Sequence, residues 1–144
     1  SEEYDGSSWS AGGALQVARY QLAGSGTQNA GLAFAGTNRA GFNCSCTEEY
    51  NGTAWSTGGA IQASRKLLAG AGTQNAGLVF GGLGPTDCTE EYDGTSWAEG
   101  GALSITRSAL AGGGTQNAGW VAGGEPAGGT ATEEYNGTSW VSGG

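Results

Sequence analysis

Hydrophobic and aromatic positions along this chain come in short runs bounded by glycine, as in Leu67-Leu68-Ala69-Gly70-Ala71-Gly72 and Ala76-Gly77-Leu78-Val79-Phe80-Gly81-Gly82. Such runs are too short and too rich in Gly for helices, where each Gly costs about 1 kcal/mol relative to Ala, and they predict strands. Thr73-Gln74-Asn75 predicts a bend between them, and so a hairpin. A second hairpin is predicted at Tyr50-Asn51-Gly52-Thr53, with Asp5-Gly6, Asp93-Gly94 and Asn136-Gly137 as counterparts of its Asn-Gly. A two-residue type I′ loop needs positive φ at both central positions, which Asn-Gly supplies. It would pair Tyr50 with Thr53, Glu49 with Ala54 and Glu48 with Trp55. Tyr50 and Trp55 would then lie diagonally on one face together with Glu48, while Glu49 points the other way. A unit of four strands in two hairpins follows, and with it an all-β fold. Gly and Ala at so many strand positions weaken an isolated sheet, and are expected where neighbouring sheets approach closely.

The unit repeats. Glu-Glu-Tyr starts at Glu2, Glu48, Glu90 and Glu133, at spacings of 46, 42 and 43 residues. In register with it stand the pairs Tyr4 and Trp9, Tyr50 and Trp55, Tyr92 and Trp97, and Tyr135 and Trp140, and then Arg19, Arg65 and Arg107. A nearly invariant Thr-Gln-Asn-Ala-Gly begins at Thr27, Thr73 and Thr115, followed by Ala35-Gly36, Gly81-Gly82 and Gly123-Gly124. Periods near 45 residues belong to propeller blades and solenoids.

A double glycine closing an apolar strand, a Tyr before a turn, a Trp after it and a following Arg resemble the Kelch repeat, over essentially the whole chain. The departures are a shortened Tyr-to-Trp spacing, Ala35 in place of the first Gly of a pair, and the Gly/Ala-rich strands. The near-identical Thr-Glu-Glu-Tyr-Asn-Gly-Thr and Gly-Thr-Gln-Asn-Ala-Gly-Leu phrases are more loosely similar to Kelch-like repeats in phage virion proteins, such as tail fibres, and in bacterial surface proteins. The resemblance implies a β-propeller of four-stranded antiparallel blades used chiefly for binding. In Kelch order the chain holds an outer hairpin at 1–13 and three complete blades at 14–59, 60–101 and 102–144. Three and a half blades fall short of the usual four for closure. A fragment of a longer array, completion by other subunits, or an open stack would each account for that, and the missing initiator Met suits a processed or excised chain.

Charge and composition narrow the function. With 13 acidic against 5 basic residues the net charge is −8, which disfavours nucleic acid as a partner. No apolar run approaches the ~18 residues of a membrane span, so no membrane insertion is expected. No His is present among the 144 residues, which removes Ser-His, Cys-His and His-metal constellations. Copper sites of Kelch-related oxidases also use His. No enzyme, cofactor or metal site is therefore expected.

Among candidate sites, the loop between the second and third strands is the part that varies most in length: Thr37–Cys46 (10 residues), Leu83–Cys88 (6) and Glu125–Ala131 (7). Variable loops on a repeated scaffold are where specificity resides. Asn38, Arg39, Phe42 and Asn43, with Asp87 and Glu125 from the other two loops, suit sugar hydroxyls or a protein surface; the plainer reading is an insertion-tolerant loop. The Glu pairs supply 8 of the 13 acids. A carboxylate ring could bind Ca²⁺, but one Glu of each pair accepting from Arg19, Arg65 or Arg107, or from backbone N–H groups, is the better reading. Gly24-Ser25-Gly26 and its counterparts lack the helix a dinucleotide loop needs. Trp120 stands where Leu32 and Leu78 stand in the other units and is expected as a larger core residue. Cys44, Cys46 and Cys88 are expected as packing residues, with an inter-blade disulfide as the alternative. Asn43, Asn51 and Asn136 match the N-glycosylation acceptor pattern, two of them simply as hairpin turns. The function expected is a non-enzymatic binding module of an extracellular or virion surface protein. It would recognise a glycan or protein receptor and associate with other copies of itself or with further blades. A repeat protein that assembles into a fibre or shell is the alternative.

Overall fold

In the computed structural model, which describes residues 1–84, 87–126 and 129–144, every regular element is a β-strand. β1 (Glu2–Tyr4) and β2 (Trp9–Ala11) form a separate hairpin. The first four-stranded sheet has the order β4 (Ala23–Thr27), β5 (Ala30–Phe34), β7 (Thr47–Tyr50), β8 (Trp55–Thr57), beside a short pair of β3 (Arg19–Tyr20) with β6 (Thr37–Asn38). The second is β9 (Ala69–Thr73), β10 (Ala76–Phe80), β11 (Thr89–Tyr92), β12 (Trp97–Glu99). The third is β14 (Ala111–Thr115), β15 (Ala118–Ala122), β17 (Thr132–Tyr135), β18 (Trp140–Ser142), beside β13 (Arg107–Ser108) paired with β16 (Glu125–Pro126). Every pairing is antiparallel, and the three sheets lie within residues 14–59, 60–101 and 102–144.

The Asn-Gly turn differs from the two-residue loop expected. Tyr50 pairs with Trp55, Glu49 with Ser56 and Glu48 with Thr57, so the loop is Asn51 to Ala54. The Asn51 side chain accounts for the difference: its Oδ1 accepts from the N–H groups of Thr53 (3.0 Å) and Ala54 (2.9 Å), closing the loop locally. Positive φ is needed at Gly52 (+87°) alone. Asp5, Asp93 and Asn136 build the same turn. Tyr50 and Trp55 are therefore directly opposite rather than diagonal, with ring centroids 4.9 Å apart, although Glu48 still shares their side of the strand.

The glycine-rich strands are explained by how the sheets stack. Leu32 and Phe34 project from the first sheet onto the second, where a Cβ on Gly77 would stand 2.8 Å from Leu32 Cδ2 and one on Gly70 only 2.3 Å from Phe34 Cζ. The contact recurs one unit later: Gly119 lies under Leu78 (2.8 Å) and Gly112 under Phe80 (2.4 Å). Phe34 also meets Trp97 edge-on at 5.3 Å, and Phe80 meets Trp140 at 4.9 Å. Each apolar cluster therefore spans two sheets, one joining Leu32 and Phe34 to Leu68, Val79 and Trp97, the other joining Leu78 and Phe80 to Val121 and Trp140.

Trp120 is not a core residue: it is 46% exposed. It occupies the position of Leu32 and Leu78 on the face that the next sheet covers, and among the described residues no sheet follows the third. The seating predicts that Gly70→Ala lowers stability by about 1–3 kcal/mol through overpacking, and Phe34→Ala by about 3–5 kcal/mol. In urea unfolding the double variant should lose less than the sum of the two, since removing the ring removes the clash; strict additivity would contradict the contact.

Candidate functional site

The three variable loops leave their sheets at the same end. β5, β10 and β15 each start at a Gln-Asn bend and run away from it, so the segments after Phe34, Phe80 and Ala122 emerge opposite the tight turns. In the first loop Asn38 N–H donates to Phe42 O (3.0 Å), and Gly41 N–H donates to Asn38 O (3.0 Å). Asn38 Oδ1 accepts from the N–H groups of Ala40 and Phe42. The amide of Asn38 is thus committed to shaping the turn, which leaves Arg39, Phe42 and Asn43 exposed, Phe42 at 69%. In the other loops Asp87 is half-buried and Glu125 is exposed on β16. The six residues share one end of the fold, with Arg39, Phe42 and Asn43 in a single loop.

The repeated Arg and Glu residues lie between strands, away from the loop tips. Arg19 pairs with Glu48, Arg65 with Glu90 (2.6 Å) and Arg107 with Glu133, all with buried side chains. The same carboxylates accept backbone N–H groups: Glu48 from Gln16 and Val17, Glu90 from Gln62 and Ala63, Glu133 from Ser104. Burial opposes ionisation of Glu133, but the Ser104 N–H and Arg107 outweigh it and hold the carboxyl below its usual pKa. These contacts tie the segment entering each sheet to that sheet's third strand.

The second Glu of each pair works between sheets. Tyr50 Oη donates to Glu3, Tyr92 Oη to Glu49 (2.5 Å) and Tyr135 Oη to Glu91 (2.6 Å), each hydroxyl also accepting from the N–H of Gly13, Gly59 or Gly101. Gln74 Nε2 donates to Gly31 O and Tyr50 O, and Gln116 does the same to Gly77 O and Tyr92 O. Trp97 Nε1 donates to Thr47 Oγ1 (2.9 Å) and Trp140 Nε1 to Thr89 Oγ1 (2.8 Å). Sequence reasoning had missed these Gln, Thr and Tyr–Glu links; their signal was the recurrence of the same polar residues in every unit, where a solvent-facing residue would be free to vary.

Cys44 and Cys46 bring their sulfurs together within one loop, their Cα atoms 5.3 Å apart, and Cys88 is a free thiol. This pairing lies within one loop, between residues two apart, and not between blades as the alternative had it. Burial pushes the Cys88 thiol pKa up. Among the described residues no group of three or more His, Cys, Asp or Glu is placed to hold a metal ion. No protein-family model matches the chain, and a search of curated proteins found none that matches it.

Two outcomes follow. Arg65→Met leaves Glu90 buried without its cation and should cost about 3–5 kcal/mol in denaturant unfolding, against under ~1 kcal/mol for an exposed pair. Burial, then the hydrogen bond to a carboxylate, raises Tyr92 and Tyr135 from 10.0 to about 12. A phenol whose folded pKa is raised favours folding fully below its unfolded value near 10, and that contribution is lost as pH climbs from there towards 12. Ultraviolet titration of the tyrosines should show a component near pH 12 coupled to loss of structure; completion near pH 10 with the fold intact would contradict it.

Proposed function

We propose that the chain is a non-enzymatic Kelch-like propeller segment of an extracellular or virion surface protein, and that its variable loops recognise a glycan or protein receptor. The observation that carries this reading is the loop at 38–43. Its backbone is fixed by hydrogen bonds to Asn38, so Arg39 and Phe42 are offered to solvent from an ordered turn. An exposed aromatic ring in the same short loop as a guanidinium and an amide is the chemistry that stacks on a sugar ring and bonds its hydroxyls, or anchors a protein contact. A phenylalanine at 69% exposure forfeits hydrophobic stabilisation in the free chain, and binding would restore it. The second and third loops enter from the same end and would set specificity through Asp87 and Glu125. The stacking of four-stranded sheets through glycine-lined faces supports the propeller reading, since such close approach is needed near a common axis.

The test is capture on a glycan array and on candidate receptor cells. Arg39→Ala and Phe42→Ala should each weaken capture by at least about tenfold, the equivalent of ~1.4 kcal/mol, while the unfolding midpoint stays unchanged. Undiminished capture by the double variant would remove the site assignment.

A further inference from the structure

We propose that the junction between the first and second variable loops takes an acidic glycan, a sugar chain bearing carboxylates or sulfates, with Arg39 and Lys66 as its cations and Phe42 as its stacking face. The proposal rests on the recognition role of the loops and narrows their partner to one class.

The chain has five basic residues. Arg19, Arg65 and Arg107 are buried against Glu48, Glu90 and Glu133 and offer no charge to a partner. That leaves Arg39, which is exposed, and Lys66, which is half-buried; among the described residues neither forms an ion pair.

The backbone brings these two cations to one place. Lys66 exchanges hydrogen bonds with Leu83, the first residue of the second loop: Leu83 N–H donates to Lys66 O (2.7 Å) and Lys66 N–H to Leu83 O (3.3 Å). The preceding residue, Arg65, accepts through its O the N–H of Gly36 (2.9 Å). Gly36 O accepts in turn from Cys44 N–H (2.8 Å), and Thr37 pairs with Asn43, so Gly36 stands at the root of the first loop. Arg39 lies three residues further on, at most about 11 Å along the chain. The junction is formed by two consecutive units, and its apolar groups are Phe42, 69% exposed, and Leu83, 46% exposed.

The rest of the surface carries the opposite sign. At the far end of the sheets, the N–H groups of Ser8 and Ser96 hold the Asp5 and Asp93 carboxyls below the usual pKa and so keep them ionised. A chain of net charge −8 repels an anion over most of its surface, and this junction is where an anion meets two unneutralised cations. Asp87 and Glu125 belong to the same end but lie on the side of the third unit: Asp87 O accepts the N–H of Leu103 (2.8 Å), and Glu125 is on β16. They steer an anionic chain towards the first loop, so repulsion contributes to selectivity along with attraction.

The residue types favour a sugar among anions. A planar guanidinium takes a carboxylate or sulfate through paired hydrogen bonds, Lys66 adds a point charge, and the Phe42 ring covers the apolar face of a pyranose. An acidic peptide presents its carboxylates on flexible stems with no such face. Nucleic acid draws its affinity from many phosphate contacts, which two cations do not supply.

The test is binding of the 144-residue chain to uronic-acid and sulfated oligosaccharides, beside the same sugars methyl-esterified or desulfated, and beside poly-glutamate. Acidic sugars should bind at least about tenfold tighter than their neutral counterparts, and raising the ionic strength from about 0.05 to 0.5 M should remove that preference. Lys66→Gln should weaken binding of the acidic forms by about tenfold and leave the neutral forms unchanged, Asp87→Asn should tighten the acidic forms, and neither should move the unfolding midpoint. Neutral sugars bound as tightly as acidic ones and lost in Phe42→Ala would overturn this proposal while leaving the recognition role of the loop in place. Binding of no acidic sugar, or tighter binding of poly-glutamate than of any sugar, would overturn it too. Acidic sugars bound undiminished by the chain carrying both Arg39→Ala and Phe42→Ala would overturn the loop assignment itself.

Discussion

The fold depends on one steric condition: at each sheet-to-sheet contact, strand positions without a side chain must lie under the Leu and Phe of the sheet before. Gly70 and Gly77 admit Phe34 and Leu32, and Gly112 and Gly119 admit Phe80 and Leu78, at separations a Cβ would occupy. Burying a Leu or Phe side chain is worth about 1.5–3 kcal/mol, more than the roughly 0.5–1 kcal/mol that a Gly costs in a strand. A composition with 31 glycines, which would weaken any single sheet, thus becomes the source of cohesion between sheets. The same condition makes the array directional, since one side of each sheet carries the projecting Leu and Phe and the other carries the glycines that receive them.

Close approach also settles the polar chemistry. Once adjacent sheets lie this near to each other, side chains in the outer strands are withdrawn from water and each must find a partner. The two glutamates of a pair divide the work. The first neutralises a buried Arg within its own unit, as Glu90 does Arg65, and the second receives a Tyr hydroxyl from the next unit, as Glu49 does from Tyr92. Gln74 bridges back to Gly31 O and Tyr50 O, so inner and outer strands are registered together. The acidic pairs that dominate the formal charge are structural along most of the chain.

Much of this was legible from the residues. The recurrence of Glu-Glu-Tyr, Trp and Arg marked the unit; short apolar runs ending in Gly marked four strands; and Gly at strand positions called for close approach of neighbours. What was not legible came from side-chain hydrogen bonds and from what neighbours each sheet. The Asn51 carboxamide closes a longer turn than Asn-Gly alone would suggest, so the Tyr50–Trp55 register was read two residues short. Trp120 reads as core because Leu32 and Leu78 are core, but its exposure is set by what stands on the next sheet, a property of neighbours and not of the residue. The loop residues were legible as a group, whereas the commitment of Asn38 to its own turn was visible only in the structure.

The seating of one sheet on the next is tested most directly by nuclear Overhauser contacts in the native chain. The ring protons of Phe34 should show strong cross-peaks to the α protons of Gly70, and the Leu32 methyls to those of Gly77, with the glycine resonances displaced by the aromatic ring. Absence of both cross-peaks, with the Phe34 ring accessible to a soluble paramagnetic probe, would contradict the account.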